Sequence, residues 1–169
     1  MNTLYAKMML YAYPCIESII EQIDEIIERK AINSMEDYRP CINICNTLID
    51  HICEKDIFIE LKLKLDQVIK SFNREEQIYL DYKYFKIRGR AEFKGFDYSS
   101  REYFRKQARL IEKVKKRLIT VGIDETKVRE IYLNIAFFKE LLRRVKEKER
   151  LTNKRAITNK GDCLIKNVI

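Results

Sequence analysis

Glycine and proline, the residues that most often end helices and build tight turns, are scarce in this chain. There are four Gly and two Pro among 169 residues, whereas an all-β fold needs turn residues about every 8 to 12 positions. Apolar residues instead recur every three or four positions, which is the spacing of an amphipathic helix. The clearest case is the run Ile16, Ile19, Ile20, Ile23, Ile26 and Ile27. The sequence therefore predicts an all-α fold.

Capping residues predict where the helices begin and end. The predicted starts are Asp56, Asn73 with Glu76 three residues later, Ser99 with Glu102, and Asp124, and Gly122 is a predicted stop. Together with the apolar spacing they predict helices over about 15–30, 40–54, 57–71, 74–86, 100–120 and 125–149. Residues 151–169 have no clear apolar period, so we expect a loose tail there.

The predicted inward faces follow from the same spacing. Helix 40–54 should bury Cys41, Cys45, Leu48, Ile49 and Ile52, and helix 57–71 should bury Phe58, Leu61, Leu65, Val68, Ile69 and Phe72. Aromatic residues are dense between 79 and 104, and we expect Phe85, Phe93 and Phe104 to lie in the core.

Charge divides the chain into two unlike halves. Residues 1–72 carry 8 Lys/Arg against 12 Asp/Glu, whereas residues 73–169 carry 26 against 14. Such asymmetry is typical of a protein whose basic half meets a polyanion. We therefore divide the chain into an acidic N-terminal helical bundle (1–72), a basic part with a long final helix (73–150) and the tail (151–169).

One helix of the basic half carries cations at every fourth position. The series is Arg101, Arg105, Arg109, Lys113 and Arg117, broadened by Lys106 and Lys116. Side chains four residues apart differ by only about 40° around a helix, so the series is expected to form one basic stripe. Such a stripe can follow a phosphate backbone, although a solvated helix face would have the same composition.

Two stretches of the basic half resemble a known DNA-binding module. Residues 72–85 (FNREEQIYLDYKYF) resemble the start of region 4 of bacterial sigma factors, and residues 98–110 (YSSREYFRKQARL) are similar to its serine-initiated recognition helix. The resemblance covers about 72–118 and implies a helix-turn-helix fold, with residues 91–97 in the place of the middle helix. The last helix, near 100–118, would enter the major groove.

The resemblance also implies roles for individual residues. Ser99, Ser100, Arg101, Arg105 and Lys106 would lie at the start of the recognition helix, near base edges. Arg109, Lys113 and Lys116 would lie further along, near phosphates. The hypothesis is a DNA-binding transcriptional regulator, of the kind carried by phages or mobile elements. The alternatives are a helical protein–protein interaction module and an RNA-binding protein.

Further partners are suggested by the other helices. Residues 1–72 could contact RNA polymerase or another protein. The last helix has heptad spacing at Val128, Ile131, Ile135, Phe138, Leu142 and Val145. This stripe either forms a homodimer seam within 125–149 or packs on helix 15–30 of the same chain.

No catalytic pattern stands out, and we expect neither an enzyme nor a cofactor. The one histidine, His51, lies near Cys41, Cys45 and Cys53, but four ligands from one helix do not suit a tetrahedral metal site. An odd number of cysteines without a secretory signal indicates reduced thiols, and no apolar run is long enough to span a bilayer. The prediction is a cytoplasmic protein without a membrane partner.

Overall fold

The computed structural model describes the backbone of residues 1–36, 41–85 and 100–165, and the side chains of residues 1–34, 42–85 and 101–152. Every regular element within these ranges is helical, so the predicted all-α class is confirmed. The helices are α1 (Thr3–Ala12), α2 (Ile16–Glu36), α3 (Cys41–Lys70), α4 (Arg74–Leu80), α5 (Ser100–Thr120), α6 (Glu125–Glu130) and α7 (Ala136–Ile165). Short 3₁₀ turns lie at Tyr13–Cys15 and Tyr132–Asn134, and a π-helical turn follows α4 at Asp81–Phe85.

The first helix lies at the centre of the core. α1 is apolar almost all round, and such a helix has to be buried on most of its surface. Its fully buried residues include Ala6, Met8, Met9 and Leu10. α7 and α5 are its main helical neighbours. The core thus brings the first helix together with the two long helices of the second half of the chain.

The second and third helices form a long antiparallel hairpin. The described side chains that join them include three pairs: Glu17–Lys62 at 2.9 Å, Asp24–Lys55 at 2.5 Å, and Lys30–His51 at 2.9 Å. The pairs run in opposite order along the two helices, so the helices are antiparallel. The buried residues of α3 begin at Phe58, and the part of the hairpin before it extends beyond the core.

The predicted break at Asp56 is wrong, because α3 is continuous from Cys41 to Lys70. Nothing in this stretch interrupts the backbone hydrogen bonds, since residues 41–70 contain neither Gly nor Pro. The predicted inward face of helix 40–54 is also largely wrong. Leu48 is half-buried, whereas Cys45, Ile49 and Ile52 are exposed. Within the described residues, no element packs on the face of α3 that carries Cys45, Ile49 and Ile52.

The predicted helix 125–149 is interrupted between α6 and α7. Asn134 Nδ2 donates to the carbonyl of Glu130, a local side-chain bond that competes with helical pairing, and Ile135 is extended, with a ψ of 130°.

The heptad residues of this last stretch are used within the chain. Val128, Phe138, Leu142 and Val145 are buried, and the main helical partner of α7 is α1. The stripe therefore packs within the chain, but mainly on α1 and not on helix 15–30 as predicted. The alternative of a homodimer through 125–149 gains no support, because four of the six heptad residues are buried within the chain.

The last helix is longer than expected. α7 continues to Ile165, where the lack of a clear apolar period suggested a loose tail from residue 151. Residues 151–165 contain no proline, and most of them are tolerated in a helix.

No helix within the described residues combines the length and the apolar composition that a membrane span requires.

The capping predictions at Asn73, Asp124 and Gly122 are confirmed, unlike the one at Asp56. Asn73 and Glu76 form the reciprocal capping box at the start of α4. The Asp124 side chain accepts from the amide of Lys127 at 2.7 Å and caps α6. Gly122 ends the turn after α5 with a φ of 78°, in the left-handed region that favours glycine.

Replacing Gly122 by alanine should lower the free energy of unfolding by about 1 to 2 kcal/mol, because the left-handed conformation strains an L side chain. Among the described residues, an added Cβ would meet Lys64 Nζ at 3.8 Å, an ordinary contact, so backbone strain is the main expected cost. Asparagine tolerates this conformation, and Gly122→Asn should be the milder change. Urea denaturation followed by circular dichroism measures both variants, and an alanine variant as stable as the natural chain would contradict the strain.

Candidate nucleic-acid interface

Helix α5 lies on the surface with one face in the core. Its buried residues are Leu110, Ile111, Val114 and Leu118, and their spacing of one, three and four places them on one side of the helix. α1 and α3 are its main helical neighbours. The side away from them is open to solvent.

The open side of α5 carries four cations. Arg101, Arg105, Arg109 and Lys116 are all exposed, and at about 100° per residue they lie within an arc of roughly 80°. Within the described part of the chain, none of these four side chains forms an ion pair or a hydrogen bond. We call these four residues the outer basic face.

The other cations of the predicted stripe are engaged with the end of α3 and the start of α4. Lys106 pairs with Glu75 at 2.7 Å, and Lys113 pairs with Glu76. The prediction of a single stripe is therefore wrong. The drift of about 40° at each step accumulates and turns the C-terminal members of the series towards α4.

Arg117, the last member of the series, anchors α5 to the chain. Its guanidinium lies 4.1 Å from the centre of the Phe72 ring and donates to Ser71 Oγ. Arginine suits this position because its planar group can stack on a ring while it donates hydrogen bonds. Arg117 is thus a structural residue at the junction of α3 and α4.

A cleft of about 240 Å³ separates α4 from α5. Cations and the carboxylates of Glu75 and Glu76 both line it, so it does not favour an anion. At its base Tyr79 packs on Tyr103, with ring centres 5.3 Å apart. Burial raises the pKa of the Tyr79 phenol, so this side chain stays neutral. An anionic partner is better matched by the outer basic face.

Other residues implied by the resemblance are only partly described. Ser99 and residues 91–97 lie outside the described residues, and Ser100 is the first residue of α5. The second capping box therefore stays a prediction. All of Arg101, Arg105, Lys106, Arg109, Lys113 and Lys116 lie on α5, but only four of these six belong to the outer basic face.

One aromatic residue differs from its predicted place. Phe85 is buried as predicted, whereas Phe104 is 59% exposed, and Phe93 lies outside the described residues. Phe104 lies at the edge of a groove of about 560 Å³ lined by residues of α1, α5 and α7. Its position was not evident from the sequence, because an aromatic residue in an amphipathic helix usually faces the core.

The cysteine and histidine positions do not form a metal site in the described part of the chain. No group of three potential ligands comes together there, and His51 Nε2 lies 2.9 Å from Lys30 Nζ. Cys45 and Cys53 are exposed, and the side chain of Cys41 is outside the described residues.

Comparison with known proteins adds no relative. No protein-family model matches the chain, and no curated protein or solved structure matches it significantly. The case for a function therefore depends on the chain's own residues and on the geometry of α5.

Proposed function

We propose that the chain is a DNA-binding regulator that contacts duplex DNA through the outer basic face of α5. The observation that carries this proposal is the set of four exposed cations without an ionic partner in the described chain. Like charges one turn apart repel each other by a few tenths of a kcal/mol. A polyanion placed against the face would relieve that repulsion and release counterions.

The dimensions of α5 suit a DNA groove. A helix with its side chains is about 10 to 12 Å wide, and the major groove of B-form DNA is about 12 Å wide. Arg101 and Lys116 are 15 positions apart, which is about 22 Å along the helix axis. The outer basic face is thus long enough to meet several phosphates along one groove.

The four cations would divide between two kinds of contact. Arg101 and Arg105 lie in the first turns of α5, which approach base edges in the module that the sequence resembles, and arginine is the usual bidentate reader of guanine. Arg109 and Lys116 lie further along and would neutralise phosphates. Lys106 and Lys113 are already paired with Glu75 and Glu76 and would contribute little to the contact with DNA.

A regulator of this kind needs no catalytic chemistry. Binding to an operator would act by blocking or recruiting other proteins. The N-terminal part, residues 1–72, has a net negative charge and would be the part that contacts a protein partner such as RNA polymerase. The outer basic face alone does not choose activation or repression.

Arg105 and its neighbour Lys106 provide a matched test of DNA binding through the outer basic face. Arg105→Ala should weaken binding to duplex DNA about tenfold at low salt, since one guanidinium contact is lost. The charge-neutral double variant Lys106→Ala/Glu75→Ala should bind within about twofold of the natural chain, because it removes a pair that is already satisfied. Fluorescence anisotropy measures both, and an Arg105→Ala variant that binds as tightly as the natural chain would contradict the proposal.

Competition distinguishes duplex DNA from RNA. A helix enters the major groove of B-form DNA, but the corresponding groove of A-form RNA is deep and narrow and excludes it. We expect unlabelled DNA duplex to displace labelled DNA at much lower concentration than an RNA duplex of the same sequence. Equal displacement by both would favour the RNA-binding alternative.

A further inference from the structure

A second surface, on α3 and not on α5, has a pattern that the core does not use. Seven positions of α3 follow spacings of three, four, three, four, three and four, namely Ile42, Cys45, Ile49, Ile52, Asp56, Ile59 and Leu63. This is the heptad spacing of a coiled-coil seam, maintained over about three heptads and about 32 Å of helix. We call these seven positions the α3 seam.

The α3 seam is exposed along its length. Its aliphatic residues are exposed by 69% at Ile42, 55% at Ile49, 47% at Ile52, 37% at Ile59 and 60% at Leu63. The core-facing residues of α3, Phe58, Leu61, Leu65 and Val68, lie on the opposite face. α3 is therefore apolar on two faces, and only one of them is covered in the described part of the chain.

The exposed area is large for a monomer. From these fractions the five aliphatic side chains present roughly 400 to 500 Å², close to the largest apolar patch that a typical monomer exposes. Two such seams packed together would bury roughly 900 Å² from these residues alone. With the flanking side chains, the total approaches the size of a specific interface, about 1,200 to 2,000 Å².

The charges beside the α3 seam are complementary to those of a second copy. Lys55 comes directly before Asp56, and Glu60 comes directly after Ile59. In a parallel pair of helices these flanking positions lie opposite each other, so Lys55 of each copy would face Glu60 of the other. Both side chains already have partners within the chain, so this contact would select the parallel orientation more than it would add affinity.

Asp56 is the one charged member of the α3 seam. A single polar residue in an apolar seam sets register and oligomer state at a cost in stability. Two Asp56 carboxylates brought together across a two-fold axis would repel each other. The seam thus has the composition of a weak, reversible dimer.

We propose that the α3 seam is the interface of a parallel homodimer, in which α3 of one copy packs against α3 of a second copy. The proposal does not depend on DNA binding, since none of the seam residues lies on α5. It moves the dimer contact from residues 125–149, where four of the six heptad residues are buried, to the exposed face of α3.

Two substitutions with matched controls test the proposal. Ile49→Gln should raise the dimer dissociation constant at least about tenfold, because symmetry removes two isoleucines from the interface. Ile32→Gln is the control, since Ile32 is equally exposed at 55% but lies on α2. Asp56→Asn should tighten the dimer about tenfold by removing the repulsion, whereas Asp50→Asn, also on α3 but off the seam, should not.

Sedimentation velocity of the full chain over a series of concentrations measures these constants. The samples are kept reduced, because Cys45 lies in the α3 seam and Cys53 is also exposed. A concentration-dependent dimer that Ile49→Gln weakens and Asp56→Asn strengthens supports the proposal. It is overturned by a chain that stays monomeric throughout the series, or by a dimer that Ile49→Gln and Ile32→Gln affect equally.

Discussion

Replacing Phe138 by alanine should lower the free energy of unfolding by about 3 to 5 kcal/mol, the usual cost of deleting a buried phenyl ring. The Phe138 side chain is fully buried. Its ring stacks on Phe58, with centres 5.5 Å apart and planes inclined by 17°, and it also contacts Tyr132 and Phe137. The aromatic cluster joins α3 to α7, so a cavity here should loosen both. Small domains are stable by only about 5 to 15 kcal/mol, so the loss should be visible as a large shift of the urea midpoint.

Phe104→Ala is the matched control, because it makes the same change at a ring that is 59% exposed. We expect it to cost less than about 1 kcal/mol, since surface substitutions rarely change stability by more. Equal losses from the two variants would contradict the description of Phe138 as a core residue. Urea denaturation monitored by circular dichroism decides between these outcomes.

The largest expected effect on binding comes from removing the three arginines of the outer basic face. The triple variant Arg101→Ala/Arg105→Ala/Arg109→Ala should bind duplex DNA roughly 100- to 1,000-fold more weakly at low salt. The three side chains point to solvent and contribute nothing to the core, so the fold should survive. Anisotropy titration at one fixed low-salt condition measures the loss, and circular dichroism verifies that the helical content is unchanged.

A second triple variant distinguishes the loss of direct contacts to DNA from the loss of net positive charge. Arg129, Arg143 and Arg144 are exposed like the arginines of α5, but each is paired with Glu125 or Glu140. Their replacement by alanine lowers the net charge by the same amount, but it removes only cations that are already paired with carboxylates. We expect a change within about threefold. Equal losses in both triple variants would mean that overall charge, and not the outer basic face, drives binding.

Features fixed by neighbouring residues could be predicted from the sequence. The caps at Asn73 and Asp124 and the stop at Gly122 depend on side chains within four positions, and they were found where expected. The all-α class followed from the same local chemistry. The buried stripe of α3 from Phe58 onwards was also correct, because the core covers it.

Features that depend on distant partners could not be predicted in this way. Cys45, Ile49 and Ile52 have the apolar spacing of a buried face, yet they are exposed because no element of the described chain packs on that face of α3. Lys113 could not be distinguished from Arg105 by sequence either, because both are cations of the same four-residue series. The structure shows that Lys113 is already paired with Glu76. A sequence pattern gives the face of a helix but not what covers that face.

The most direct test of the proposed function is the salt dependence of binding to random-sequence duplex DNA. Random-sequence DNA offers no specific base contact, so all four cations of the outer basic face would contact phosphates there. Four phosphate contacts predict a slope of roughly −3 to −4 when the logarithm of the association constant is plotted against the logarithm of salt concentration. A slope of this size would support contact through Arg101, Arg105, Arg109 and Lys116. Binding that is undetectable at low salt, or a slope close to zero, would contradict it and leave the outer basic face as a solvated surface.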